Sequence, residues 1–554
     1  MLMVPRDSWI WLLLLVLGLG QPGWAQEWQW STAVPGGIDR GGPARAFLWI
    51  PPTCKEVRGV VLAQFNMEEV AILEDAQFRR EMGELGFAEI WVSPAFNPRF
   101  DFTKGAGESL DALLDSLAAN SGYSELKTAP LVPMGHSAAA SAPYYMAAWA
   151  PGRVLAGLSV SGQWPYFRDK QFAPDIWGSR TIDYVPALET MGEYEAAATW
   201  SAKGLKERQQ HPLMPLSMLA CPGEGHFATT PEKSAYLAFY IRKAAQYRLP
   251  AHSPKDQPPV LRPIDPTKTG WLMEKWVPNQ APTVPAAPVG RYTGDPAQAF
   301  WFFDEEHARA TVAYQARHRS QQPQLVSFLL NGRPAPQRNT HQQINLPFQP
   351  LNDEVTFVLK GAFLDTVGGG SPRLAQWTGL PVGSPIGYAP GGGPVRISRI
   401  AGPFRQLSAD TFRLELERGL GANLRAYDLW LTATHPGDAA YKPAVQQAQL
   451  VVPLRLTEGQ PQRITFPRPA DVRAKRTRRT TVQLAATSDA GLPVRYYVRE
   501  GPAEIVGNTL RFTRIPPRSK LPLAVTVVAW QRGRRGPAPV QTAEPVEMTF
   551  RVVR

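Results

Sequence analysis

The sequence predicts an α/β domain, with a mostly parallel sheet flanked by helices, followed by a β-rich region and a terminal β-sandwich. Short apolar runs alternate with helix-like stretches between residues 44 and 249, the pattern of strands connected through crossing helices. Prolines then punctuate residues 250–288, among them Pro258, Pro259, Pro263 and Pro266, and helix cannot propagate through them. Beyond that stretch, period-two runs dominate to the C-terminus. At 554 residues the chain exceeds what one hydrophobic core usually organises, and these changes of character divide it into 1–25, 26–250, 251–462 and 463–554.

Residues 1–25 read as a secretory signal. Arg6 gives a positive start, residues 9–19 are apolar, and Gly23, Trp24 and Ala25 lead to a cleavage point that leaves Gln26 first. The apolar run is short of the roughly 20 residues a membrane span needs. No Cys stands near the cleavage point for a lipid anchor, and no later segment is long and apolar enough to span. The expectation is an exported chain, periplasmic or secreted, with no membrane span in its mature form. In the α/β part, strands are expected at 46–50, 60–65, 88–93, 130–134, 154–161, 185–191 and 216–220. Helices are expected at 72–85, 107–119, 138–150, 196–209 and 231–245. The middle part holds one helix-like stretch, 305–317, among strands such as 324–330, 355–359 and 426–434. Its glycine-rich 368–393 segment reads as loop, because no helix or Lys-Ser/Thr pair follows to bind phosphate. The tail has alternating runs at 482–487, 494–498, 510–513 and 525–530.

Composition narrows the function classes. With 44% hydrophobic and 19% charged residues the chain is globular, and 55 Pro and 46 Gly imply many turns and extended connections. A formal net charge of +12 favours anionic polysaccharide or membrane surfaces. Nucleic acid is a poor fit for an exported chain without a recognition module. The densest basic run, Arg473, Lys475, Arg476, Arg478 and Arg479, reads as a solvated strand edge. The only cysteines, Cys54 and Cys221, allow either one disulfide or two separate buried thiols. No Cys or His spacing suggests a metal site, and no cofactor is expected.

The informative segment is the apolar run 130–134 followed by Gly135-His136-Ser137-Ala138-Ala139 and small helix-forming residues. A serine presented on a strained strand-to-helix turn needs small neighbours two positions either side, and Gly135 and Ala139 meet that need. In this context residues 44–249 resemble the α/β-hydrolase family of esterases and lipases, with Ala in place of the second Gly of G-x-S-x-G. The resemblance implies a nucleophile, acid, histidine order along the chain, with Ser137 as nucleophile. Serine is a weak nucleophile at neutral pH and needs a base within hydrogen-bond reach. His226, in Gly223-Glu224-Gly225-His226-Phe227 between the last strand and a helix, stands where the family places it.

The acid that orients the imidazole is expected in Gly192-Glu193-Tyr194-Glu195, which resembles the family's acid loop with Glu for Asp. Glu195 occupies the acid position and Glu193 is the alternative. Two oxyanion donors are also required. Ala138 supplies one backbone N–H, and the turn after strand 60–65 supplies the other from Phe65 or Asn66; Asn66 equally fits a cap on the following helix. Trp164, Tyr166, Phe167 and Trp177 follow strand 154–161 and serve either as an aromatic platform or as core filler.

The tail segments 486–494 and 501–504 resemble bacterial immunoglobulin-like modules appended to exported proteins, which implies a spacer or adhesive unit. Together these readings point to an exported serine hydrolase, a carboxylesterase acting through an acyl-enzyme on a small-molecule or polymer-borne ester, with acylated carbohydrate as one substrate class and cell-envelope or polysaccharide contact as a further expectation. The competing readings are a serine peptidase and a non-catalytic surface adhesion protein carrying a hydrolase-like domain.

Overall fold

The computed structural model describes residues 27–39, 42–251, 257–337, 344–370, 372–419, 428–453 and 455–554. The signal-like segment, His252 and His341 lie outside the described residues.

Eight strands form the main sheet: β1 (Trp30–Asp39), β2 (Gly42–Trp49), β3 (Gly59–Gln64), β4 (Phe87–Ser93), β5 (Leu131–His136), β6 (Gly157–Val160), β7 (Ala187–Gly192) and β8 (Leu216–Cys221). Their order is β1-β2-β4-β3-β5-β6-β7-β8. The β1–β2 and β2–β4 pairs are antiparallel and every later pair is parallel. Strand β3 is buried along its whole length, as a central parallel strand covered on both faces must be, which is why it reads as an unbroken apolar run rather than an alternation.

The pleat sends alternate β3 side chains to two cores. Val60 and Leu62 face helices α3 (Ala106–Ser121), α4 (Ala142–Trp149) and α5 (Ala197–Gln210) through Leu110, Leu114, Tyr144 and Leu205. Val61 and Ala63 face α2 (Ala76–Leu85) and α6 (Pro231–Arg248) through Phe78, Met82, Leu237 and Ile241. The expected helix at 72–85 is two helices, α1 (Glu69–Leu73) and α2, because the Asp75 carboxylate caps α2 by accepting from the Gln77 and Phe78 N–H groups at 3.0 and 2.8 Å. The expected helix at 138–150 begins as a single 3₁₀ turn, Ser137–Ala139, before α4.

Packing continues past the proline-rich connection. Strand Ala299–Phe302 and helix α7 (Glu305–Gln315) place Trp301, Phe303 and Tyr314 in the same core as α6. Residues beyond 320 form small sheets, with one helix, Pro372–Thr378, inside the glycine-rich segment expected to be loop. One has four strands in the order Ile344–Pro347, Ala444–Val451, Asp428–His435, Arg396–Ala401, over a core that includes Ile397, Leu431, Ala448 and Phe412. In the tail, a four-stranded sheet containing Leu523–Trp530 and Val546–Val553 meets a three-stranded sheet containing Thr509–Phe512, with Phe512 and Phe550 ring centroids 6.2 Å apart. The tail docks on the α/β part: the Gly501 N–H donates to Trp28 O at 3.1 Å and the Lys520 N–H to Ser121 O at 2.8 Å.

Cys54 and Cys221 are separate buried thiols. Burial pushes the Cys54 thiol up to about 11. Among the described residues, no helix is long and apolar enough to cross a membrane, and no cluster of three His, Cys, Asp or Glu could hold a metal ion.

Candidate active site

Strand β5 ends in a turn that sets Ser137 at φ +54°, a left-handed conformation that a non-glycine residue adopts at a cost of about 1–3 kcal/mol. The turn is so tight that a Cβ on residue 135 would sit 2.1 Å from Ala139 O, so only glycine fits there. Ser137 is thereby lifted half-exposed out of an otherwise buried strand.

The loop after β8 brings His226 to it. His226 Nε2 lies 2.8 Å from Ser137 Oγ, and Nδ1 lies 3.3 Å from Glu195 Oε1. His226 is 5% exposed, so its imidazole sits largely out of water. The two acidic candidates separate cleanly. Glu193 turns the other way, accepting from the Gly223 N–H at 2.8 Å and from Lys442 Nζ at 2.8 Å. Beside Glu195 is a cavity of about 530 Å³ bordered by Tyr194, Trp276, Arg373, Trp377 and Lys442.

The oxyanion expectation needs correction. Ala138 follows the nucleophile on the 3₁₀ turn and is half-exposed. The Phe65 N–H, however, donates to Val92 O at 2.7 Å as an extension of the β3–β4 ladder, so it points into the sheet. The Asn66 N–H donates to Glu69 Oε2 at 3.1 Å, and the Asn66 side-chain amide donates to His136 O at 2.8 Å. Asn66 thus ties its loop to the elbow; it does not cap the helix.

Two groups central to this arrangement escaped the sequence reading. Glu69 is fully buried and accepts from the N–H groups of Asn66, of Met67 (2.7 Å) and of His136 (2.8 Å). One carboxylate therefore bridges the turn after β3 and the end of β5, although burial pushes its pKa up to about 7. His136 is also fully buried, and its Nε2 lies 3.0 Å from His226 O. A carbonyl can only accept, so His136 carries its proton on Nε2 and fixes the main chain of His226. Burial, then the neighbouring His226, holds His136 well below the ordinary histidine range, so it stays neutral. Behind it, Glu224 receives Lys233 Nζ at 2.9 Å and Tyr314 Oη at 2.6 Å, anchoring the His226 loop to α6 and α7.

The β-rich region packs directly on this loop. A Cβ at Gly225 would meet Val445 Cγ2 at 2.8 Å. Phe227 and Trp430 have ring centroids 5.3 Å apart in an apolar cluster with Met67, Ile400 and Ala401. Trp164 and Trp177 are buried as core and loop anchors. Trp164 stacks on Phe300 at 5.8 Å, and Trp177 packs edge-on against Tyr145 at 5.4 Å.

No protein-family model matches this chain, and no curated protein matches it in sequence. Solved structures that resemble it include a dienelactone hydrolase from Anabaena variabilis, 17% identical over 40% of this chain and 98% of that one, with a TM-score of 0.28. An S-formylglutathione hydrolase from Agrobacterium tumefaciens is 12% identical over 39% of this chain and 94% of that one, with a TM-score of 0.30. The protein Est1E from Butyrivibrio proteoclasticus is 13% identical over 38% and 96%, with a TM-score of 0.27. At such identities and TM-scores these likenesses assign no activity and no residue role. The sheet order, the antiparallel second strand, the crossing helices and the serine elbow give residues 30–248 the α/β-hydrolase fold.

Proposed function

We propose that this protein is a serine hydrolase that cleaves carboxylic esters through an acyl-enzyme on Ser137. The observation that carries the reading is the chain of contacts from Ser137 Oγ to His226 Nε2 at 2.8 Å and from His226 Nδ1 to Glu195 Oε1 at 3.3 Å, built on a strained turn. Ser137 Oγ attacks the ester carbonyl carbon as its proton passes to His226 Nε2. The Glu195 carboxylate holds the imidazole in the Nδ1–H tautomer and stabilises the imidazolium. The Ala138 N–H, next to the nucleophile on the 3₁₀ turn, donates to the developing oxyanion. His226 returns the proton to the departing alcohol, and water then repeats the sequence on the acyl-enzyme.

Labelling of Ser137 by a fluorophosphonate together with hydrolysis of short p-nitrophenyl esters tests the chemistry. Rapid amide cleavage with slow ester cleavage would replace esterase by peptidase. Export rests on residues 1–25 alone; the mature protein is expected to begin at Gln26, and N-terminal sequencing that finds Met1 retained would contradict it.

A further inference from the structure

The basic run of the tail lines a groove that the hydrolase reading does not use. The 3₁₀ segment Ala474–Arg479 and the loop 513–521 enclose about 470 Å³, bordered by Lys475, Arg478, Arg514, Pro516, Pro517 and Leu521. Arg473, Arg476 and Arg479 belong to the same basic run without bordering the groove, and all six cations are exposed. None of the six has a carboxylate within ion-pair distance among the described residues, whereas the neighbouring Arg468 and Arg518 are paired with Asp471 and Glu125. No acidic side chain borders the groove. At its Thr513 end it adjoins a cavity bordered by Glu27 and Glu504, so the positive field stops there.

Lys475, Arg478 and Arg514, uncompensated along one groove, repel one another and focus a positive potential that an anionic ligand offsets. We propose that this groove binds a strand of acidic polysaccharide bearing carboxylates along its length. A groove suits a linear chain. A bilayer would need exposed apolar side chains to insert, and Leu521 and Ile515 are half-buried in the floor. Single-stranded nucleic acid would need aromatic faces for its bases, and no Phe, Tyr or Trp borders the groove. The groove shares no residue with the Ser137, His226 and Glu195 constellation, so this inference stands or falls separately from the hydrolase reading.

Affinity electrophoresis of the full mature chain through gels containing polygalacturonate, with neutral dextran as control, provides the test. Polygalacturonate retards the protein and dextran does not. The triple variant Lys475→Glu, Arg478→Glu, Arg514→Glu binds about tenfold or more weakly, since each exposed pairing contributes a modest share. A matched triple, Arg80→Glu, Lys170→Glu, Arg291→Glu, carries the same net charge and retains wild-type retardation. The Ser137→Ala variant binds as wild type does. The milder triple Lys475→Gln, Arg478→Gln, Arg514→Gln, which keeps side-chain bulk, gives an intermediate loss and guards against misfolding of the charge-reversed form. Equal weakening by both charge-reversed triples would reduce the effect to net charge and overturn the proposal. So would tighter binding to phosphatidylglycerol vesicles or to single-stranded DNA than to polygalacturonate.

Discussion

Replacing each of the two neighbouring acids in turn separates the chemistry from its scaffold. Glu195→Gln removes the charge facing His226 Nδ1 and presents an amide in place of a carboxylate oxygen. A hydrogen bond to a charged group contributes about 1.5–3 kcal/mol, which corresponds to roughly 10- to 150-fold in rate. Forcing the wrong tautomer in a Ser-His-Asp triad extends the loss to about 10⁴. The contact here, 3.3 Å, is longer than the roughly 2.7–2.9 Å of a tight charge-assisted bond, which places the expected loss near the lower range, about 10² in kcat. KM stays unchanged because Glu195 acts through His226. Glu193→Gln instead weakens the contacts to Lys442 and the Gly223 N–H. It lowers stability by about 1–3 kcal/mol and leaves kcat within about threefold of wild type. Steady-state hydrolysis of p-nitrophenyl acetate and thermal melts on both variants decide the matter. A larger kcat loss for Glu193→Gln than for Glu195→Gln would refute the reasoning.

Trp430→Ala removes the ring that packs on Phe227, next to His226. It is expected to cost about 2–4 kcal/mol in denaturant unfolding and to lower kcat; an unchanged kcat would mean that the β-rich region does not support the His226 loop. Glu207 is buried, accepts from the Tyr166 N–H at 2.8 Å, and is pushed by burial up to about 7. An acid raised in the folded state favours folding most below its ordinary pKa and loses that contribution as pH rises through about 7. His136 and His307, held neutral by burial, act in the opposite direction. The informative quantity is therefore the difference in melting temperature between Glu207→Gln and wild type, which should move in the variant's favour from pH 5 to 8; a flat difference would contradict it.

Much of the α/β part was legible because its strands are continuous apolar runs that alternate with helix-like stretches. Ser137 stood out at a tight turn with small neighbours, whereas His226 and the preference for Glu195 came from the resemblance to the α/β-hydrolase family. Strand β1 was missed because Pro35, Gly36 and Gly37 interrupt its alternation, and pairing with β2 resumes only after a register shift. The helix at 72–85 split because Asp75 offered a cap inside a helical pattern. The oxyanion reading failed at Phe65 because a one-residue extension of the ladder consumes its N–H, which apolar periodicity does not reveal.

Glu69 and His136 were invisible for a different reason. Glu69 follows a strand as an ordinary helix-start acid would, and its partner amide at His136 lies 67 residues further along the chain. Burial of such a carboxylate is tolerable only because its backbone donors converge in space, and that convergence exists only once β3 and β5 are neighbours. Likewise, Lys442 and Trp430 reach the site from a region whose sequence carries no catalytic signal.

The most direct test of the account is fluorophosphonate labelling of the mature chain, comparing wild type with Ser137→Ala and His226→Ala. The account predicts a single adduct on Ser137 in wild type, none in Ser137→Ala, and a labelling rate lower by about 10³ or more in His226→Ala. Absence of labelling in folded wild type, or an adduct that persists in Ser137→Ala, would contradict it.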